Sequence, residues 1–253
     1  MRTMIKGKLF YTEHIWFEEF SSKKEVSSQA ARVCVHANPT KISKRSELQH
    51  TLISDLDDIN TESLLSKFSS TVRNEIRRAE RDGVICKAFT SDDLRIQPDI
   101  INVFADMYRE MYAEKNLDRS LELNSVNAYI ENRAFILTCA YIDNKPYVFH
   151  SYIVDDTHSR LLHSCSEFRV QDNTVKNSIG RANKLLHYKD MLYLKDLGIV
   201  LYDWGGVSAP KQPNGIDKFK MSFGGRPIDY YNCTIDLCLK AKLASIYKRI
   251  FRR

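Results

Sequence analysis

The sequence predicts a mixed α/β fold in which a mostly antiparallel sheet is flanked by helices. Three observations carry this reading. Residues 134–141, 147–154 and 159–166 are apolar, β-rich runs separated by the turn clusters Asp143-Asn144-Lys145-Pro146 and Asp155-Asp156-Thr157-His158. Strands joined by such short turns must pair antiparallel. A long helical stretch, 175–197, and a short apolar run, 198–202, then follow, with Asp203 at the end of the run. Upstream, Phe68, Val72, Ile76 and Ala79 fall on one helical face, with Arg73, Arg77, Arg78 and Arg81 on the rest.

The elements follow in order. Residues 5–11 and 31–36 read as short strands, and 51–56 alternates apolar and polar as a half-buried strand does. A helix is expected over 60–67, capped by Thr61. The basic helix comes next and stops at Gly83, where a left-handed residue can end it. Residues 100–115 form a helix with an apolar row, Val103, Met107 and Met111, and a second row, Tyr108 and Tyr112. The tyrosine pair fits core packing or substrate contact. The last helix spans 239–253. Its stripe of Leu239, Leu243, Ile246 and Ile250 is flanked by six cations, and no acid follows Asp236. Such a helix can dock on the chain or lie on an anionic membrane surface.

Composition narrows the function classes. With 253 residues, 43% of them hydrophobic, the chain can bury a substantial core. No run approaches the roughly 18–20 apolar residues of a membrane span. The N-terminus has no apolar signal-peptide core, so a cytoplasmic location is expected, with peripheral contact at the inner membrane. Six scattered cysteines without a C-x-x-C pair point to reduced thiols and no metal. A net charge of +6 suits anionic ligands but does not by itself argue for nucleic acid.

The densest chemistry lies in 201–225, LYDWGGVSAPKQPNGIDKFKMSFGG. Asp203 and Trp204 sit at a strand end. Gly205 and Gly206 then allow a sharp turn or close approach to a ligand. Lys218 and Lys220 face the same side if the segment is extended. Asp203 can orient an amine, accept a proton through water, or cap the turn. His150 and His163 lie in the meander, and either is a candidate base or a packed histidine. Arg73 and Arg77, one turn apart, can hold a phosphate or carboxylate. Lys211 has no assigned role.

YDWGG followed by GIDKFKMSFGG resembles the C-terminal signature of FemAB-like transferases, a branch of the GNAT acyltransferase superfamily. Arg73, Ile76, Arg77, Ala79 and Gly83 match that family's R-x-x-I-R-x-A-x-x-x-G helix, in the family's order. The resemblance implies a GNAT-like fold with an abbreviated first lobe (1–92) and a transferase core (93–253). It implies acyl transfer to an amine of a cell-envelope glycan or nucleotide-sugar precursor. Acyl-CoA is the expected donor. Its pyrophosphate would lie at the start of the long helix, where Asn177, Ser178, Gly180, Arg181 and Ala182 resemble the [QR]-x-x-G-x-[GA] pattern with Asn177 as the departure. Lys220, after Phe219, resembles the lysine that stabilises charge at the reacting carbonyl. Trp204, Gly205, Lys218, Tyr108 and the two arginines would contact substrate. Two alternatives stand beside this reading: an aminoacyl-tRNA-dependent transferase, whose tRNA-binding helical arm is missing here, and a non-catalytic binding protein.

Overall fold

The computed structural model describes residues 1–20, 26–57, 59–168, 172–208 and 212–251. The chain runs β1 (Arg2–Lys6), β2 (Tyr11–Ile15), β3 (Arg32–Asn38), β4 (Glu47–Asp55), α1 (Thr61–Lys67), α2 (Ser70–Arg81), β5 (Ile85–Phe89), α3 (Ser91–Ile96), α4 (Asp99–Ala113) and α5 (Leu123–Glu131). It continues β6 (Phe135–Ile142), β7 (Lys145–Val154), β8 (His158–Ser166), α6 (Asn173–Asp196), β9 (Leu201–Asp203), α7 (Gly215–Met221), β10 (Arg226–Asp236) and α8 (Leu239–Phe251).

All ten strands join one sheet in the order β1-β2-β3-β10-β4-β9-β8-β7-β6-β5. Among the described residues, β2–β3 and β8–β9 pair parallel and the other neighbours antiparallel. The expected meander is β6–β7–β8. A cut at residue 92 does not divide the sheet. Residues before it supply β1–β4 at one end and β5 at the other, and β10 returns to lie between β3 and β4.

Side chains along β7 alternate between two helical layers. Tyr152 joins the core beneath α2 and α6, with Phe68, Ile76, Leu185, Met191 and Trp204. Phe149 and Ile153 join the core of α4 and α5, with Phe104, Met107 and Val126. Near its middle β8 carries an extra residue: Ser151 pairs His163 but Tyr152 pairs Leu161. This bulge turns Leu161 into the α6-side core, while His163 packs edge-on against Phe104 and Tyr108.

Several local expectations change. The 5–11 run is a hairpin, because the Gly7 N–H bonds the Phe10 carbonyl and closes a turn inside it. Asn60, not Thr61, caps α1, since its side chain accepts from the Ser63 N–H. On α4 the buried row is Ile101, Phe104 and Met107, and Val103 is exposed. The sequence reading did not include β5, α3, α5 and β10. Lys211 lies outside the described residues, as do Arg252 and Arg253.

Candidate active site

Strands β8 and β9 pair only through His158–Arg160 and Leu201–Asp203, then part. β8 runs on to Ser166, while the chain after Asp203 turns through Gly205 and Gly206. A Cβ on Gly205 would lie 2.2 Å from the Leu161 carbonyl oxygen, and its φ is +79°. Contact with β8 is enough by itself to require this glycine. Asp203 is buried at this fork. One of its oxygens accepts from the Thr51 hydroxyl and from the Gly205 N–H at 2.9 Å, and the other accepts from the Arg160 guanidinium. The Thr51 hydroxyl also accepts the Gly206 N–H at 3.1 Å. Arg160 lies over the Tyr230 ring at 5.0 Å. Its burial weakens the charge, but Asp203 more than restores it.

Lys220 enters from α7. That helix is set by a capping box: the Asn214 side chain accepts from the Asp217 N–H at 3.0 Å, and Asp217 returns to the Asn214 N–H at 3.0 Å. Buried Asp217 also takes the Ser208 N–H at 3.1 Å, which ties α7 to the glycine turn. Lys220 Nζ donates to the Gly206 carbonyl at 2.6 Å. Burial pushes the Lys220 ammonium down to about 8; Arg160 adds to this, and Asp203 and Asp217 oppose it.

A buried polar chain lies behind, between α6 and the sheet. Asn183 Oδ1 meets His150 Nε2 at 2.8 Å, and His150 Nδ1 meets Asp190 at 2.7 Å. The Tyr152 hydroxyl donates to Asp190 at 2.6 Å and meets the Tyr202 hydroxyl at 2.9 Å, which in turn meets His187 Nδ1 at 2.9 Å. The His150 and His187 rings stack at 4.0 Å. Burial, then His150 and Lys220, hold His187 well below the usual histidine range, so it is neutral. At one end Asn183 borders a cleft of about 400 Å³ with Met111, Lys115, Gly180, Lys184 and Phe219. At the other, His187 packs on Trp204 and Phe219.

The FemAB family model matches residues 27–151. Over that stretch the chain is FemAB-like in sequence. Its structure is similar to the crystal structure of FemX, with 13% identity over 100% of this chain and 86% of that chain, TM-score 0.60. L-PGS from Bacillus licheniformis aligns at 10% identity over 100% of this chain and 86% of that one, TM-score 0.56. At these identities the likeness shows the fold. No curated protein matches the sequence.

In this FemAB-like chain the fold gathers Lys220, Asp203 and Gly205 at one fork, with His150 in the polar chain beside it. Other expected site residues lie elsewhere. Trp204 is fully buried and donates to Ser54 at 3.0 Å, so it supports the site from the core. Lys218 is exposed, and because the segment is helical it does not share a side with Lys220. His163 is on the other face of the sheet, bonded to Ser151 at 2.9 Å and held neutral by burial, which lowers it to about 4. Tyr108 packs at a tilt against Tyr112 and edge-on against His163 in that same layer. Arg73 donates to the Phe68 carbonyl and Arg77 is exposed, so the pair does not converge on a ligand. It is acids on and just after α2 that face α6: Glu75 pairs Lys184 at 2.8 Å, and Asp82, at the C-cap, pairs Arg181 at 3.1 Å.

The supposed pyrophosphate loop is also displaced. Asn177, Ser178, Gly180, Arg181 and Ala182 lie within α6, which begins at Asn173. Interior N–H groups are spent on the helix. At the actual start, the Asp172 carboxylate accepts from the Thr174 and Val175 N–H groups, so an anion already holds those donors. Ala182 packs in the core, and Gly180 reaches the 400 Å³ cleft. Sequence reasoning missed Arg160, Thr51 and His187. Arg160 and Thr51 carry no local signal, because strand register alone brings them to Asp203. The α6 residues did carry one: Asn183, His187 and Asp190 recur at i, i+4 and i+7 on a face that is otherwise apolar.

Proposed function

We propose that the chain is an acyl-group transferase that moves an aminoacyl group from an ester donor, the charged end of an aminoacyl-tRNA, to an amine of a cell-envelope glycan or peptide precursor. The observation that carries this reading is Lys220. Among the described residues this largely buried cation donates one hydrogen bond, to the Gly206 carbonyl, and an ammonium carries three N–H donors. In the reaction the acceptor's neutral nitrogen attacks the ester carbonyl. Lys220 donates to the oxygen that becomes negative, the C–O bond breaks, and the ribose hydroxyl leaves with the proton that the attacking nitrogen gives up. Such a site supplies positioning and charge stabilisation, and needs no covalent intermediate.

FemAB-like sequence, together with the carboxylate cap on α6, favours the ester donor over acyl-CoA. The acyl-CoA reading, with a nucleotide-sugar acceptor, is separated by experiment. The purified chain is offered labelled aminoacyl-tRNAs or short acyl-CoAs with amine-bearing envelope precursors and nucleotide sugars. Transfer from the tRNA ester, and none from the thioesters, is expected. Transfer from acyl-CoA alone would overturn the donor assignment.

A further inference from the structure

Helix α8 sits on the sheet with the face opposite to its apolar stripe. Ala241 is buried, and Arg32 of β3 donates to its carbonyl at 3.0 Å and to the Ser245 hydroxyl at 2.7 Å. At 100° per residue, Ala241 and Ser245 lie across the helix from Leu239, Leu243, Ile246 and Ile250. Those four are 71%, 57%, 54% and 61% exposed. An amphipathic helix that docks for stability turns its large apolar side chains inward. Here small residues face the protein and large ones face solvent.

The surroundings are cationic. Lys240 and Lys242 flank the stripe on its two sides, and the sequence holds no acid after Asp236, whose carboxylate is taken by Arg32 at 2.8 Å. Beside the helix, Lys242 and Ile246 border a cleft of about 720 Å³ with Lys44 and Arg45, where Glu47 and the Arg32-paired Asp236 are the acids. Arg32 also reaches the turn between β1 and β2, where its guanidinium lies over the Phe10 ring at 5.0 Å. That turn carries Lys6 and Lys8 and exposes Leu9 and Tyr11. One half-buried arginine, Arg32, thus touches two exposed apolar–cationic segments more than two hundred residues apart.

We propose that α8 and the β1–β2 turn form a docking surface for an anionic lipid bilayer, with the apolar stripe in the headgroup–acyl boundary and the lysines on lipid phosphates. The charge complementarity selects an anionic surface, and the four-residue apolar stripe selects lipid over RNA, which would need the cations alone. The proposal stands apart from the chemistry above, because vesicle binding is read without donor or acceptor.

The test is co-sedimentation of the full chain with phosphatidylglycerol–phosphatidylcholine vesicles and with pure phosphatidylcholine vesicles. Binding to the anionic vesicles alone is expected, weakening with added salt. The exposed double variant Leu243→Gln/Ile246→Gln should keep the wild-type melting temperature and bind about tenfold more weakly or worse. Leu9→Gln should weaken binding separately. No binding to anionic vesicles at low salt overturns the proposal, as does binding that the double variant leaves intact. A vesicle-free dimer that the double variant abolishes would assign the stripe to a second copy. tRNA binding lost on Lys240→Glu/Lys242→Glu, without vesicle binding in the wild type, would assign the surface to RNA.

Discussion

Lys220 is costly where it stands. Its ammonium is held near 8, below the ordinary 10.5, so below pH 8 the folded chain carries the full burial penalty. Between pH 8 and 10.5 the unfolded chain binds the extra proton, and stability rises with pH. The displacement corresponds to about 3 kcal/mol. Lys220→Met is therefore expected to raise the melting temperature at pH 7 by several degrees, at roughly 2–4 °C per kcal/mol for a chain of this size. A fall in melting temperature would show that the lysine is a structural asset. The pair beneath it behaves in the opposite way. Arg160→Met strands the Asp203 carboxylate in the core and should cost about 3–5 kcal/mol, read by denaturant unfolding. The double variant Arg160→Met/Asp203→Asn should recover part of that loss, because the amide oxygen still accepts from Thr51 and Gly205 and no charge is stranded. Equal losses in the single and double variants would mean that the two charges are not coupled. Residue types at this fork were partly legible, since Asp203, Gly205 and Lys220 share one segment of sequence. Arg160 was not, because nothing local in SRLLHS separates a buried partner of Asp203 from a surface arginine.

At the scale of elements, α7 determines where Lys220 points. The alternation of lysine with apolar residues in DKFKM reads as a strand, yet Asn214 and Asp217 make a reciprocal cap that starts a helix. The N-x-x-D spacing was the legible signal, and it outranks a short alternation. Asp217→Ala removes the cap and the tie to Ser208 together. Loss of one cap costs about 1 kcal/mol. Global stability should therefore fall modestly while turnover falls at least tenfold, as Lys220 loses its register over Gly206. Turnover that falls only in proportion to stability would detach α7 from the chemistry. The meander, α2 and α6 were readable because helical and strand periodicity is local. Strand β10 was not, because its place between β3 and β4 depends on partners nearly two hundred residues away.

Across the whole molecule, the sheet closes N-terminal and C-terminal segments into one unit, and buried or half-buried neutral histidines are spread through it. Burial lowers His14 and His163 to about 4, and holds His36 and His187 well below the usual range. The sign follows from linkage. Below 6.5 the unfolded chain takes protons that the folded chain refuses, so stability is full above 6.5 and is lost as pH falls toward 4. Unfolding midpoints in denaturant should drop steeply across that window, and a flat profile would mean that these rings protonate in place.

The central claim is that the Lys220 ammonium stabilises the reacting carbonyl, and the pH dependence of turnover tests it most directly. The wild type should lose activity as pH rises through about 8, where the ammonium deprotonates. Lys220→Ala should lose ~10²–10³ in kcat with the fold intact. Lys220→Arg should keep part of the activity and move the alkaline limb upward, because a guanidinium holds its proton. Wild-type turnover in Lys220→Ala, or an alkaline limb that stays near 8 in Lys220→Arg, would contradict the account.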